Sequence, residues 1–418
     1  MTLESLKLVL EIAGLFGLGT YLKGKWKKFR CQQKKRKVEQ RKRDEASFVN
    51  RENIIKLLDL FYPQTLGSGL IRYAFKVNHT EVGTSIFTRQ CWLQIRKAPQ
   101  SIQMSYSRTP ACVNVDRSIY RAYELMIRAR LDEMKIECWN AHKFRMTYLS
   151  DIPFGCRFED TTYHEYRFTS GLLADELEDA LIACQGNVSK VQDVRAVLPI
   201  RSAMLPNLET LTSVGSRICC GGIGVLFALK RQDHYHIPLQ IRSDKVSGGR
   251  GFLALLPVAF HDAAVDPAQE HNIHWSIFRE LYEEVYGGTE AERGTTKHSY
   301  NWYFNRDNPE MAWFQDNPAG HTCEITSFGF NAHAGNYEFG VLLAVHDLDY
   351  ETTFDSKMQK NFETSNTMWV SSAEKTKLAE ILTDERWTSE SLFHFVEGLR
   401  RLKEIDPQRV ALPAICVN

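Results

Sequence analysis

The chain lacks several patterns that identify common classes of protein. Its ten cysteines include no Cys-x-x-Cys pair, which argues against a simple zinc knuckle and predicts reduced thiols rather than a disulfide framework. The glycine-rich stretch 221–224 is not followed by Gly-Lys-Ser/Thr, so it is not a phosphate-binding loop of that type. No internal repeat and no clear helix-turn-helix are visible. These absences exclude several familiar routes to nucleotide or DNA binding.

The composition is that of an ordinary globular protein, with 418 residues, 43% hydrophobic and 25% charged. This length predicts two or three domains. The net charge of only +1 conceals an uneven distribution, because residues 23–43 hold 12 Lys/Arg and one acid. The remainder has 40 basic and 50 acidic residues. A basic arm on an acidic body indicates an anionic surface nearby, either lipid or nucleic acid.

An apolar segment precedes this arm. Residues 3–22 read LESLKLVLEIAGLFGLGTYL and predict a hydrophobic helix that spans the membrane, lies in its interface, or packs in a soluble core. The pattern does not match a cleaved signal peptide. Because basic residues follow at once, we expect a cytoplasmic body attached to the inner face of the cell membrane through residues 3–30. Residues 1–44 form the first predicted unit.

The middle of the chain, residues 45–210, is predicted to be a mixed α/β region whose role the sequence does not indicate. Residues 86–96 are rich in β formers and alternate roughly, which predicts a strand. Residues 117–135 and 172–183 have helical periodicity.

The last predicted unit, residues 211–418, has a clearer pattern. Apolar runs at residues 218–229, 237–242 and 252–260 predict strands, and a glycine loop separates the last two. A helix is predicted over residues 274–286, reading HWSIFRELYEEVY, with a glycine pair at 287–288 as its stop.

Three carboxylates share one face of that helix. Glu280, Glu283 and Glu284 are spaced i, i+3, i+4. An oxygen-rich anionic cluster suits a hard divalent ion such as Mg²⁺, which binds diphosphate oxygens and can orient a water for attack on phosphorus. On spacing alone, a solvated acidic helix face is the competing interpretation.

The stretch from Arg279 to Glu284, Arg-Glu-Leu-Tyr-Glu-Glu, resembles the core of the Nudix hydrolase signature. Its setting is similar as well, because strands precede the helix, and later strands are predicted at residues 324–330, 337–347 and 368–370. The resemblance covers about half of the chain. It implies an α/β fold of the α+β Nudix sandwich type, with a mixed sheet between helices.

The resemblance also implies functional roles. Glu283 and Glu284 would bind Mg²⁺ or Mn²⁺, Glu280 would be a third ligand or a base, and Arg279 would orient the cluster. Glu338, on a later strand, is a weaker candidate for the general base. A nucleotide or a nucleoside-diphosphate derivative would be the partner. An apolar amino-terminal segment joined to such a domain is also similar to Nudix proteins found beside bacterial nucleotide-second-messenger synthetases in antiviral systems.

The sequence departs from the family pattern at four places. Pro257-Val258-Ala259-Phe260 stands where the family usually has Pro-Gly-Gly. Val265 stands where the signature opens with glycine, and His271 stands where it has a glutamate. Glu270 is one residue out of register, and the closing glycine, Gly287, comes one residue late. These departures affect the expected catalysis more than the expected fold.

Three hypotheses follow. The first is a membrane-associated Mg²⁺-dependent hydrolase of a nucleoside-diphosphate-linked compound. The second is a nucleotide sensor with the same fold and no turnover, which the departures favour. The third is a DNA-binding regulator that uses residues 23–43, with a Nudix-like effector domain. Nucleic acid is the less expected partner, because an apolar segment precedes the basic residues and no recognition motif accompanies them.

Overall fold

The structure is a computed structural model, and it describes residues 19–63, 69–108, 117–136, 138–242, 251–288, 299–358 and 364–417. Residues 3–18 of the predicted apolar helix lie outside the described residues. From Gly19 onward, helix α1 (Gly19–Phe48) carries the basic arm. Within the described ranges, no helix combines the length and apolar character that crossing a bilayer requires. Attachment to a membrane stays a prediction.

The region up to residue 212 contains both helices and strands, as predicted. Its further helices are α2 (Arg51–Phe61), α3 (Arg121–Met134), α4 (Tyr163–Arg167), α5 (Leu172–Ala183), α6 (Val194–Val197), α7 (Pro199–Met204) and α8 (Glu209–Thr212). Its strands are β1 (Ile71–Val77), β2 (Thr80–Thr88), β3 (Gln103–Ser107), β4 (His142–Asp151) and β5 (Phe154–Thr162).

The rest of the chain again mixes the two kinds of element. The strands are β6 (Gly221–Arg231), β7 (His234–Arg242), β8 (Leu253–Leu255), β9 (Val258–Phe260), β10 (His321–Asn331), β11 (Asn336–Val345), β12 (Thr364–Ser371) and β13 (Ile415–Val417). The helices are α9 (Pro267–Glu270), α10 (Ile273–Glu280), α11 (Pro309–Asp316), α12 (Asp349–Phe354), α13 (Lys375–Leu382) and α14 (Ser389–Ile405).

Among the described residues, ten strands form one mixed sheet. Its order is β12-β7-β6-β11-β10-β2-β1-β13, with β8 paired to β7 and β9 paired to β6. The central β6 and β11 run parallel, whereas their outer neighbours β7 and β10 pair with them antiparallel. The first nine residues of β6 and all of β11 are buried. Their largely apolar sequences suit central strands that are covered on both faces.

Helices cover both faces of this sheet. Ile223 and Val225 of β6 pack in the core that contains Ile277 of α10. Leu226, which points the other way, packs in the core that contains Leu392 of α14. Because side chains alternate along a strand, α10 and α14 lie on opposite faces. The mixed α/β class with a sheet between helices agrees with the prediction.

Strands from the middle region belong to the same sheet. Strand β2 pairs with β10 through Phe87 and Ile86, and β1 pairs with β13 near the end of the chain. A second sheet of three strands, in the order β3-β5-β4, lies beside it. These pairings show that residues before and after position 210 contribute strands to one sheet. Whether a domain boundary lies at residue 210 stays a prediction.

Two predicted strands have different limits in the structure. The strand expected over residues 86–96 ends at Thr88, and a 3₁₀ turn (Gln90–Gln94) follows, because the buried Trp92 turns inward to pack on Phe328 at 5.0 Å between ring centroids. The run at residues 252–260 divides at Pro257 into β8 and β9, which pair with different neighbours. Proline has no N–H for the ladder, which accounts for a break at that residue.

We predict that Gly340→Ala destabilises the protein, because α14 approaches β11 closely at this position. A Cβ on Gly340 would lie 2.1 Å from Oγ of Ser327 and 2.6 Å from Nδ1 of His394. Such overpacking costs about 1–3 kcal/mol. Gly83→Ala on β2 is the matched control, because its Cβ would make an ordinary 3.4 Å contact with Ile55. Urea unfolding of both variants measures the difference, and equal losses would contradict the packing argument.

Candidate functional site

The candidate site is built on α10 and the turn that follows it. The side chain of Asn272 caps the helix by accepting from the N–H of His274 at 3.0 Å. Ile277 faces the core. The helix does not continue as α-helix to residue 286, as the sequence suggested, because Leu281–Val285 widens into a π-helical turn. Gly287, with φ of 66°, then ends it at the predicted glycine pair.

Arg279 is the centre of the site. Its side chain is only 5% exposed, and its guanidinium donates to a carboxylate oxygen of Asp262 and, at 2.8 Å, to Glu280. Its Nε lies 3.9 Å from Glu283. Burial alone would lower the pKa of Arg279, but the charges of these three carboxylates outweigh burial and hold it well above its usual value. Arg279 is therefore a fixed buried cation that gathers carboxylates from a loop and from its own helix.

Glu284 has a different environment. It is 4% exposed, and its Oε2 accepts from the backbone N–H of Val258 at 3.0 Å. This bond ties the π-helical turn to β9. The structure thus brings Arg279, Glu280 and Glu283 into one ion-pair network and places Glu284 beside the neighbouring strand.

Glu270 holds the loop that leads into the helix. It is 1% exposed, and its carboxylate accepts from the N–H groups of Ala264, Val265 and Asp266 at 3.2, 2.7 and 2.6 Å. Burial raises the pKa of this carboxyl, and the backbone donors partly offset that effect. Sequence reasoning set Glu270 aside as out of register. The signal that could have identified it is Asp266-Pro267, an N-cap and first-turn pair that begins α9.

His271, at the position where the family signature has glutamate, does not enter this network. Its ring stacks on Tyr106 of β3, with 5.9 Å between centroids and 19° between planes.

Sequence reasoning also missed the contribution of the middle region. Lys143 of β4 donates to Oδ2 of Asp262 at 2.5 Å, so Asp262 joins Lys143 and Arg279. The neighbouring His142 bonds Asp160 at 2.6 Å through Nε2 and accepts from the N–H of Ala263 at 3.3 Å through Nδ1. The only sequence signal was the presence of Lys143 and Arg145 within β4, which by itself does not indicate a partner.

Glu338 is not part of the cluster. It lies on the α14 face of the sheet, where its Oε2 is 3.9 Å from Nε2 of the buried His394, whereas Arg279 lies on the α10 side. Burial, together with the charge of Glu390, raises the pKa of Glu338 well above its usual value. The structure therefore separates this candidate base from the other predicted residues, and its carboxyl holds a proton more tightly than a free glutamate does.

The donor chemistry fits a divalent ion, because carboxylate oxygens are the ligands that Mg²⁺ prefers. Across the described ranges, however, no group of three or more His, Cys, Asp or Glu side chains is arranged to hold a metal ion. Arg279 engages Glu280 and Glu283, and a backbone N–H engages Glu284. Metal binding by these three glutamates stays a prediction.

Comparison with known proteins gives weak similarities. No family model and no curated protein matches the chain. A crystal structure of a bifunctional NMN adenylyltransferase/ADP ribose pyrophosphatase from Francisella tularensis, complexed with AMP and a Mn ion, has 14% sequence identity and a TM-score of 0.27, over 60% of this chain and 65% of that one. A second structure of that bifunctional enzyme has 12% identity and a TM-score of 0.27, over 68% and 76%. A TM-score this low assigns neither a fold nor an activity.

We predict that Arg279→Met destabilises the protein by about 3–5 kcal/mol, because it leaves buried carboxylates without their cation. Arg386→Met is the matched control, since Arg386 pairs with Asp384 at 2.7 Å but is 56% exposed. Exposed pairs contribute about 0–1 kcal/mol. Chemical denaturation of both variants gives the two free energies of unfolding. A loss for Arg279→Met no larger than that of the control would show that the network does not stabilise the fold.

The raised pKa of Glu338 predicts a pH-dependent stability. Above pH about 4.5 the unfolded chain releases this proton while the folded chain keeps it, so wild-type stability falls as pH rises toward the folded pKa. Glu338→Gln cannot titrate. Its stability relative to wild type should therefore increase as the pH rises above about 4.5 toward the folded-state pKa of Glu338, by up to about 1.4 kcal/mol per pH unit.

The same measurement on Glu380→Gln reports the effect of replacing an exposed glutamate by the amide. A difference between Glu338→Gln and wild type that stays constant with pH would show that Glu338 is ionised in the folded protein.

Proposed function

We propose that this chain is a Nudix-type protein that binds a nucleoside-diphosphate-linked compound together with Mg²⁺ or Mn²⁺ and hydrolyses its diphosphate at α10 and the following turn. The observation that carries the proposal is the buried Arg279, which holds Asp262 and Glu280 and lies close to Glu283. An isolated acidic helix face on a surface would have no need of a buried cation.

The chain's own residues have distinct roles in this proposal. Arg279 orients the carboxylates by ion pairing, and Glu270 shapes the loop in front of them through three backbone N–H groups. Glu283 and Glu284, with Glu280, would hold the divalent ion. When bound, that ion would supply diphosphate binding and a polarised phosphorus.

A nucleotide sensor with the same fold is the second candidate. It is favoured by the contacts that the carboxylates already make, with Arg279 and with the N–H of Val258, and by the π-helical turn in place of a regular helix. A site whose carboxylates remain in those contacts would bind a nucleotide without the metal arrangement that turnover requires. Binding without product distinguishes it from the enzyme.

Turnover is tested on the purified full chain with Mg²⁺ or Mn²⁺. The substrates are nucleoside-diphosphate derivatives and cyclic or linear oligonucleotides, with products followed by chromatography and binding by thermal shift. We expect metal-dependent product that falls at least about 100-fold in the Glu283→Gln/Glu284→Gln variant, because even outer-shell changes at metal sites cost about 10–100-fold. Glu380→Gln, an exposed glutamate on α13, is the control that should retain full activity.

The possible results separate the hypotheses. Product formed equally by wild type and by the double variant would exclude this site as its source. A ligand that stabilises the chain without product supports the sensor. If no compound gives product and none stabilises the chain, both the enzyme and the sensor form of the proposal are contradicted.

A further inference from the structure

Strand β4 of the middle region lies directly against the loop that carries Asp262. The N–H of Phe144 donates to the carbonyl oxygen of His261 at 3.2 Å, and the N–H of Ala263 donates to the ring of His142 at 3.3 Å. Between these two contacts, Lys143 reaches Asp262. Three consecutive residues of β4 thus contact three consecutive residues of the loop. The backbone of Phe144 on one side and the ring of His142 on the other fix the position of Lys143 relative to this loop.

The ammonium group of Lys143 lies among aromatic rings. Its Nζ is 5.2 Å from the ring centroid of Phe260 and 6.0 Å from that of Tyr163. Both rings are half-buried, and the Lys143 side chain is 10% exposed. Ring faces attract a cation without supplying an acceptor for its N–H groups. The two rings therefore help to position the ammonium, while its hydrogen bonds go to other groups, among them Asp262.

Asp262 is the partner that a ligand would displace. Its side chain is 14% exposed and bridges two cations, Lys143 and Arg279. Arg279 is additionally held by Glu280, whereas among the ion pairs of the described ranges Lys143 has one carboxylate, that of Asp262. An anion that takes over Lys143 would therefore leave Asp262 with Arg279, so the exchange does not strand a buried charge.

We propose that Lys143 is a phosphate-binding residue of the α10 site, so that the middle region completes the site. The inference rests on the proposed function. A divalent ion at the glutamates would offset only part of the negative charge of a diphosphate. A second cation nearby would stabilise the charge that remains. A lysine ammonium, a compact charge with three donors, is suited to a phosphate oxygen. On binding, it exchanges Asp262 for that oxygen while Phe260 and Tyr163 keep it in place.

A purely structural salt bridge makes a different prediction. If Lys143 and Asp262 only stabilise the fold, then removing either partner breaks the same bridge, and both changes act on ligand affinity in the same direction. If Asp262 competes with phosphate for Lys143, the two changes act in opposite directions. Asn at position 262 keeps an oxygen that can accept from Arg279, so the rest of the network is preserved in that variant.

The test is isothermal titration of the full chain with ADP and with inorganic pyrophosphate, in the presence of Mg²⁺. We expect Lys143→Met to weaken binding about tenfold or more, as loss of a charge-assisted hydrogen bond does. We expect Asp262→Asn to tighten it by about two- to fivefold. Lys143→Arg should retain most of the affinity, because it keeps the charge.

Lys403→Met is the matched control. Its ammonium donates to the carbonyl oxygens of Pro407 and Val410 at 2.6 and 2.7 Å, on α14 at the other face of the sheet. The Lys403→Met variant should bind ADP and pyrophosphate with the affinity of wild type.

Each result decides between the alternatives. Wild-type affinity in Lys143→Met overturns this inference and leaves the proposed function intact. Weaker binding by both Lys143→Met and Asp262→Asn also overturns it and supports a structural bridge. No binding of either probe by wild type overturns the proposed function, and the inference falls with it.

Discussion

The burial of the Arg279 guanidinium is the constraint on which the site depends. A cation removed from water must be surrounded by anions and acceptors, and here they come from two segments, Asp262 from the loop after β9 and Glu280 and Glu283 from the helix and its turn. Satisfying this one charge fixes the distance between the loop and the helix. Asp262 also pairs with Lys143 of β4, so the same network connects the second sheet to this loop.

Other buried guanidinium groups also need acceptors around them, and there the acceptors are backbone carbonyl oxygens instead of carboxylates. Arg201, fully buried, donates to the carbonyl oxygens of Ala332 and His333 at 2.5 and 2.6 Å. Arg217 donates to the carbonyl oxygen of Gly335 at 3.1 Å. Both therefore hold the turn between β10 and β11, from segments far away in sequence. A buried polar group that must be satisfied specifies a unique partner, whereas apolar packing accepts many.

The sequence predicted what depends on local periodicity. The apolar run that contains most of β6 and the glycine stop at residues 287–288 could both be inferred from short windows. Asp262 and Lys143 could not, because 119 residues separate them and nothing local indicates their pairing. The strand predicted over residues 86–96 failed for the same kind of reason, since the tertiary packing of Trp92 overrode its β propensity.

The placement of Lys143 suggests a role for the middle region, residues 45–210, in the candidate site. A helix, a loop and the central strands could have formed the acidic cluster alone, yet β4 lies along the loop at residues 261–263 and inserts a lysine between aromatic rings. Charge chemistry explains why such an addition matters: carboxylates that attract a metal ion repel a phosphate, and a cation placed beside them lowers that repulsion without competing for the metal. If the proposed function holds, residues 45–210 and 211–418 would form a single binding unit, with carboxylates for the metal ion from the second part and a lysine for phosphate from the first.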